Sequence, residues 1–219
     1  MNDQVHIVKY YELTDCAMES LFNKFKENPK LILTESDLKC WLFMELQVVL
    51  NDQDLPFSVH TEVTHYLRNP QIERKLFMRD LTILNDKNLN LNEEIWNKNN
   101  NQEHTLSKGF QHIGPALHFE LKLVRNGKSI GETPTIDPSD ICNLNKVDGT
   151  KRAYCIVWGS KSDNVSVGQL KESLNAVIDN LTNIKLVEDN RLSIYLFDKD
   201  NFEKVELTIE SISGKVKMV

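Results

Sequence analysis

The sequence predicts an α/β protein in which a mixed β-sheet carries helices on its faces. Two amphipathic segments come first, and strand-like segments follow, with further helical segments between them. The runs RAYCIVWG and RLSIYLF are apolar throughout, which is typical of strands buried on both faces, and an amphipathic segment over 167–181 separates them. The 219 residues contain no repeat and no clear linker, so we expect a single domain over 1–219.

Two helices are expected before the first strand. The first covers 14–27, with Thr14 as its N-cap and apolar residues at helical spacing after it. The second begins at Thr34, because Thr34 and Asp37 have the spacing of a capping box, and it runs to about Leu50. Each helix has an apolar stripe, so both are expected to pack against the sheet.

The expected strands are FSVHTEVTHYL, LFMRDLTIL, ALHFELKLV, RAYCIVWG and RLSIYLF, followed by the hairpin VELTIESISGKVKMV. Residues 85–111 separate the second and third strands; they are rich in Asn, show no clear period and form a long insertion. A short helix is expected after Asp137-Pro138, since proline is favoured at the first helical position. The hairpin is expected to turn at Ser213-Gly214.

Composition narrows the possible function classes. No apolar run reaches the ~20 residues that cross a bilayer, and the first residues lack the layout of a secretory signal, so we expect a cytoplasmic protein without membrane contact. The four cysteines are far apart and have no zinc-site spacing. A net charge of −6 argues against a broad basic surface that coats nucleic acid, although a nuclease can confine its basic residues to one groove.

Charged residues within two apolar strands are the strongest functional signal. In ALHFELKLV the alternation of side chains puts His118, Glu120 and Lys122 on one face, and Asp80 lies in the strand segment RDLTIL. Burying a carboxylate or an ammonium is costly unless the ion is paired or bound to a metal. The pattern therefore indicates a hydrolytic metal site, with an ion pair on a half-exposed sheet as the alternative.

The order of these elements resembles the core of the PD-(D/E)xK nuclease superfamily, which has the restriction-endonuclease-like fold. The resemblance rests on Glu35 in TESDLKCWLFMEL, Asp80 in RDLTIL and Glu120-Leu121-Lys122 in HFELKLV, and it covers about 34–158. It implies a restriction-endonuclease-like mixed sheet flanked by helices. The first helix would then be an N-terminal extension, and the Asn-rich segment an insertion between neighbouring strands.

The resemblance implies a metal-dependent nuclease that hydrolyses phosphodiester bonds in DNA, with RNA as the alternative substrate. Asp80, Glu120 and the carbonyl of Leu121 would bind Mg²⁺ or Mn²⁺, which polarises the phosphate and activates water. Lys122 would orient the attacking water or stabilise the developing charge, and Glu35 would support the metal or its water. Many nucleases of this kind act as dimers, so a homodimer is an open expectation.

Two departures from the superfamily's pattern leave alternatives open. Arg79 stands where the family name has proline, and the Asn-rich insertion lengthens the spacing between the two acidic strands. Glu45 or Glu62 could supply the additional carboxylate instead of Glu35. The alternative function is a catalytically inactive protein of this fold that binds nucleic acid or another protein. In a defence or toxin-neutralising system, for example, its negative charge would suit a basic partner.

Overall fold

The computed structural model describes residues 3–53, 57–65, 77–90, 111–112, 116–124, 152–161, 163–180, 192–209 and 216–218. Within these ranges the chain is α/β, with a seven-stranded mixed sheet and helices on both of its faces. The predicted fold class is confirmed at this level. The described helices include none that is long and apolar enough to span a membrane.

The described residues form α-helices, β-strands and short 3-10 helices. The helices are α1 (Asp3–Glu27), α2 (Glu35–Asn51) and α3 (Val167–Asn180). The strands are β1 (Phe57–His65), β2 (Phe77–Asn85), β3 (Leu89–Asn90), β4 (Gln111–His112), β5 (Ala116–Val124), β6 (Arg152–Ser160), β7 (Leu192–Phe197), β8 (Phe202–Ile209) and β9 (Val216–Met218). Short 3-10 helices span Pro29–Leu31 and Asp86–Asn88.

The large sheet has the strand order β1-β2-β5-β6-β7-β8-β9. Strands β5, β6 and β7 run parallel to one another, and the other neighbouring pairs are antiparallel. Strands β3 and β4 lie near the two ends of the Asn-rich insertion and pair with each other in a separate two-stranded sheet. The insertion therefore begins and ends side by side, which allows β2 and β5 to be neighbours.

The two faces of the sheet are covered by different helices. Phe119 and Leu121 of β5 belong to the apolar cluster of α1 and α2. Glu120 points the other way, because its partner on β6 is Ile156, which belongs to the apolar cluster of α3. Glu120 and Lys122 therefore share the α3 face of the sheet, as the alternation in the sequence predicts.

The first helix is longer than predicted. Helix α1 begins at Asp3, so the predicted range of 14–27 was wrong at its N-terminal end. Thr14 lies inside the helix, where its Oγ1 donates to the carbonyl oxygen of Tyr10 at 2.8 Å instead of capping the first turn. The preceding turns are stabilised by burial, since Ile7 and Tyr10 are buried at helical spacing.

The second helix begins as predicted. Thr34 is its N-cap, and the capping box with Asp37 is complete: the Asp37 N–H donates to Thr34 Oγ1 at 3.0 Å, and the Thr34 N–H donates to Asp37 Oδ2 at 2.8 Å. This cap fixes the start of α2 and therefore the position of Glu35, its first residue.

Some predictions fall outside the described residues. They include the short helix after Asp137-Pro138, most of the Asn-rich insertion and the turn at Ser213-Gly214. The strands on either side of that turn, β8 and β9, pair antiparallel, as a hairpin requires.

Candidate active site

The ladder between β2 and β5 ends before either strand does. Its last pair is Leu81 with Phe119, yet β2 begins at Phe77 and β5 continues to Val124. Beyond this pair the described part of the chain offers no strand to pair with the β2 side of β5. We call this opening between the two strands the notch.

Two carboxylates bind the edge of β5 inside the notch. The Leu121 N–H donates to Asp80 Oδ2 at 2.9 Å, and the Leu123 N–H donates to Glu35 Oε2 at 3.3 Å. These acids lie 41 and 88 residues from their donors in the sequence. Side chains from β2 and α2 thus replace the backbone partners that a longer ladder would supply, and they bring two predicted site residues to the strand with the E-x-K motif.

The carbonyl of Leu121 also faces the notch. In an extended strand the N–H and C=O of one residue point to the same side, and the Leu121 N–H points towards Asp80. The backbone N–H and C=O groups of the even-numbered residues of β5 point towards β6 instead. The Val124 carbonyl, for example, accepts from the Lys161 N–H at 3.1 Å. A carboxylate and a backbone carbonyl therefore lie side by side at the notch.

The carboxylate of Glu120 lies between two cationic groups. Lys122 Nζ donates to Oε1 at 2.9 Å, and a guanidinium nitrogen of Arg79 lies 3.8 Å from Oε2. The side chains of Glu120 and Lys122 are 16% and 32% exposed, whereas that of Arg79 is only 2% exposed. The side chains of Glu120 and Lys122 are thus partly exposed to water, and the buried guanidinium of Arg79 lies beside them.

The carboxylate of Asp80 has a different cationic partner. Lys39 reaches it from α2, with 3.3 Å between Nζ and Asp80 Oδ1, and the same ammonium lies 3.4 Å from Oε1 of Glu62. Burial lowers the pKa of Lys39. The charge of Asp80 and the hydrogen bonds to both carboxylates raise this pKa by more, so the net shift is upward. Lys39 is therefore a cation at neutral pH.

Strand β1 is distorted opposite Asp80. The register of β1 and β2 continues on both sides, but the ladder lacks the pair Glu62–Asp80. Glu62 has a φ of 53°, a left-handed conformation that costs residues other than glycine roughly 1 kcal/mol or more. Backbone strain of this kind is concentrated at functional sites.

The contacts of Arg79 and Asp80 reverse the alternation expected along β2. Leu81 packs in the cluster of α1 and α2, so strict alternation would put Arg79 on that face and Asp80 on the α3 face. Instead Arg79 reaches Glu120, and Asp80 reaches Lys39 of α2. The change coincides with the distortion of β1 and the end of the ladder. As a result, the carboxylates of Asp80 and Glu120 contact different cations.

The three candidates for the additional carboxylate lie in different places. Glu45 lies away from the notch, buried between α1 and α2, where Ser20 Oγ donates to its Oε2 at 2.6 Å and Lys24 pairs with its Oε1. Glu35 and Glu62 both lie at the notch. The structure therefore separates Glu45 from the candidate site and leaves the other two beside it.

Sequence reasoning missed Lys39 and gave Arg79 no role. Lys39 follows Glu35 by four residues, one helical turn, so the sequence contained a signal that both approach the same region. Arg79 was interpreted as a departure from the family pattern and as part of a basic stretch over 68–79, and its pair with Glu120 was not predicted. No sequence signal predicts that pair, because it depends on the reversed alternation in β2.

The donor atoms at the notch suit a hard divalent cation. The described charged groups there are the carboxylates of Glu35, Glu62, Asp80 and Glu120 and the cations of Lys39, Arg79 and Lys122. Among the described residues no three His, Cys, Asp or Glu side chains gather as a ready metal-binding group. Mg²⁺, however, is commonly bound by one or two carboxylates with other oxygens and water. Asp80 with the Leu121 carbonyl fits that pattern, whereas the carboxylate of Glu120 lies on the α3 face and contacts Lys122 and Arg79.

Comparison with known proteins gives no relative. The chain matches no protein-family model, no curated protein and no solved structure. The notch and its residues are therefore the basis for assigning a function.

Proposed function

We propose that this protein is a metal-dependent nuclease that hydrolyses phosphodiester bonds, with the notch as its active site. One observation carries the proposal: Asp80 and Glu35, which are distant in the sequence, bind successive edge N–H groups of the strand that carries Glu120 and Lys122. These contacts support the proposal because Glu35, from α2, and Asp80, from β2, both bind the strand that contains the E-x-K motif.

The arrangement of elements supports the same proposal. Helix α2 is followed by the neighbouring strands β1, β2 and β5, and β6 then lies parallel to β5. These elements agree with the order on which the resemblance to the PD-(D/E)xK superfamily rests, and we propose a restriction-endonuclease-like fold on that basis. The helix that the resemblance expects between β5 and β6 lies outside the described residues. The strain at Glu62, directly opposite Asp80, is a second and independent sign of a functional site.

Each residue has a role that its contacts suggest. Asp80 and the Leu121 carbonyl would hold Mg²⁺ or Mn²⁺, an ion that polarises the scissile phosphate and lowers the pKa of bound water. The resemblance adds Glu120 to this set, and its carboxylate would have to turn from Lys122 and Arg79 towards the notch to reach the ion. Lys122, which is 32% exposed beside Glu120, would stabilise negative charge that develops on the phosphoryl oxygens. Glu35 would hold the free edge of β5 in position.

The proposed substrate is nucleic acid, with DNA ahead of RNA because of the resemblance. Since the chain has a net charge of −6, binding would depend on local cations such as Lys122 and not on the overall charge. A cytoplasmic location and a homodimer stay predictions of the sequence.

The test is a cleavage assay with plasmid DNA and with single-stranded RNA, in the presence of Mg²⁺ or Mn²⁺ and after addition of EDTA. We expect wild type to cut at least one substrate, and Asp80→Asn and Lys122→Ala to lose about 10²-fold or more, the usual effect of removing a group that stabilises transition-state charge. Asp163→Asn and Lys199→Ala are matched controls, because they alter an exposed ion pair in which neither residue belongs to the notch. Equal cleavage by all variants, or cleavage that survives EDTA, would exclude the proposal.

A second candidate is a nuclease-like protein without catalysis that binds nucleic acid or another protein. The observation that favours it is that every described carboxylate at the notch already has a partner within the protein: Glu35 accepts from an N–H, Asp80 and Glu62 pair with Lys39, and Glu120 pairs with two cations. Under this alternative, wild type should bind neither Mg²⁺ nor Mn²⁺ at millimolar concentration in calorimetry.

A further inference from the structure

Lys39 already provides a positive charge at the notch. Its ammonium lies between the carboxylates of Asp80 and Glu62, 3.3 and 3.4 Å away, and its side chain is 18% exposed. Both acids lie within 3.4 Å of the same ammonium, so their negative charges are close enough to repel each other. An ammonium there relieves the same repulsion that a divalent cation would relieve.

Lys39 also has a third acid within reach. Glu35 lies four residues earlier on α2, and a Glu that precedes a Lys at this spacing forms a favourable helical pair. The long lysine side chain can therefore leave Asp80 and Glu62 without losing every negative partner. A lysine ammonium can give up its place to a metal ion only if the side chain has a second favourable position, and Glu35 provides that position.

We propose that Lys39 is an internal competitor for the divalent ion: its ammonium binds Asp80 and Glu62 in the metal-free protein and withdraws from them when Mg²⁺ or Mn²⁺ binds. The inference rests on the proposed function, since it concerns regulation of the same site. Its consequence is a raised threshold of metal concentration, because the ion has to displace a bound positive charge. Removal of that charge should tighten metal binding, whereas most substitutions beside a metal site weaken it.

The test is calorimetric titration of the full chain with MnCl₂, without nucleic acid, so that no turnover enters the readout. We expect Lys39→Met and Lys39→Gln to bind Mn²⁺ at least about tenfold more tightly than wild type, which corresponds to about 1.4 kcal/mol. Lys39→Arg keeps the charge and should stay within about threefold of wild type. Lys199→Met is the matched control for loss of one positive charge, and it should also stay within about threefold.

The possible outcomes separate this inference from the proposed function. If wild type and both neutral variants bind Mn²⁺ equally, the inference is overturned while the metal site remains. If the neutral variants alone bind Mn²⁺, the inference is supported and wild type is the inhibited form. If the neutral variants bind more tightly than wild type but no protein cleaves nucleic acid, the inference stands and the proposed nuclease falls. If no protein binds Mn²⁺ at millimolar concentration, both fall.

Discussion

Helix α2 has charged side chains at two places, one against α1 and one at the notch, and their partners and exposure differ. Its C-terminal half buries Glu45 against α1, where one hydroxyl and one lysine bind the carboxylate and the side chain is 5% exposed. Its N-terminal half sends Glu35 and Lys39 to the notch, where Asp80 is 21% exposed. One acid with its own base is enough to join two helices. At the notch, in contrast, two acids share one lysine, the acids are partly exposed to water, and the backbone at Glu62 is strained. Structural support alone requires none of these three features.

The largest expected effect compares one substitution in the two places. Lys24→Met should lower the free energy of unfolding by about 2 kcal/mol, because it leaves the buried carboxylate of Glu45 without its cation. Lys39→Met should change it by less than about 0.5 kcal/mol, since Asp80 keeps the N–H of Leu121 and contact with water. Urea unfolding at pH 7 measures both. Equal losses would mean that the notch is an ordinary structural ion-pair network.

Another buried acid, Asp198, lies in the turn between β7 and β8 and extends the comparison. Asp198 is buried and accepts from the N–H groups of Val167, Asp200 and Asn201 at 2.7, 2.8 and 2.7 Å, so it ties the start of α3 to the sheet. Burial raises the pKa of Asp198, but these hydrogen bonds lower it by more. Like Glu45, this acid has a complete set of partners and a structural role.

Asp198→Asn should therefore cost about 1.5 kcal/mol of stability at neutral pH, because it removes charge-assisted hydrogen bonds. The folded-state pKa lies below the unfolded value of about 3.9, so this contribution is present above that value and is lost as the pH falls through the folded-state pKa. Urea unfolding at pH 7, 5 and 3 should show the difference between wild type and variant shrinking only at the lowest pH. A difference that does not change with pH would contradict the assignment.

The smallest expected effect concerns the strain at the notch. Glu62→Gly should be about 1 kcal/mol more stable than Glu62→Ala, because both variants lose the carboxylate and only glycine adopts a φ of 53° without penalty. Thermal unfolding of the two variants gives the comparison directly. If alanine is as stable as glycine, the conformation of β1 at this position is not strained, and one argument for a functional notch is lost.

Local features of the sequence predicted much of the fold. The Thr34–Asp37 capping box gave the start of α2, and the alternating ALHFELKLV gave the range of β5 and the shared face of Glu120 and Lys122. The start of α1 was wrong because Thr14 has the chemistry of a cap, and only burial of the preceding turns shows that the helix continues through it.

By itself, the sequence determined the residues that contact each other locally: helix caps, strand alternation and the acids and bases available for a site. The tertiary structure decided which of these groups meet, because the ladder of β2 and β5 stops at Leu81 and Phe119 and opens an edge that Asp80 and Glu35 then bind. Where a ladder stops depends on strand distortion and helix packing between distant segments. Residue periodicity contains no information about that point, and for this reason the pair of Arg79 with Glu120 became visible only in the folded chain. The four-residue spacing of Lys39 from Glu35, in contrast, was present in the sequence.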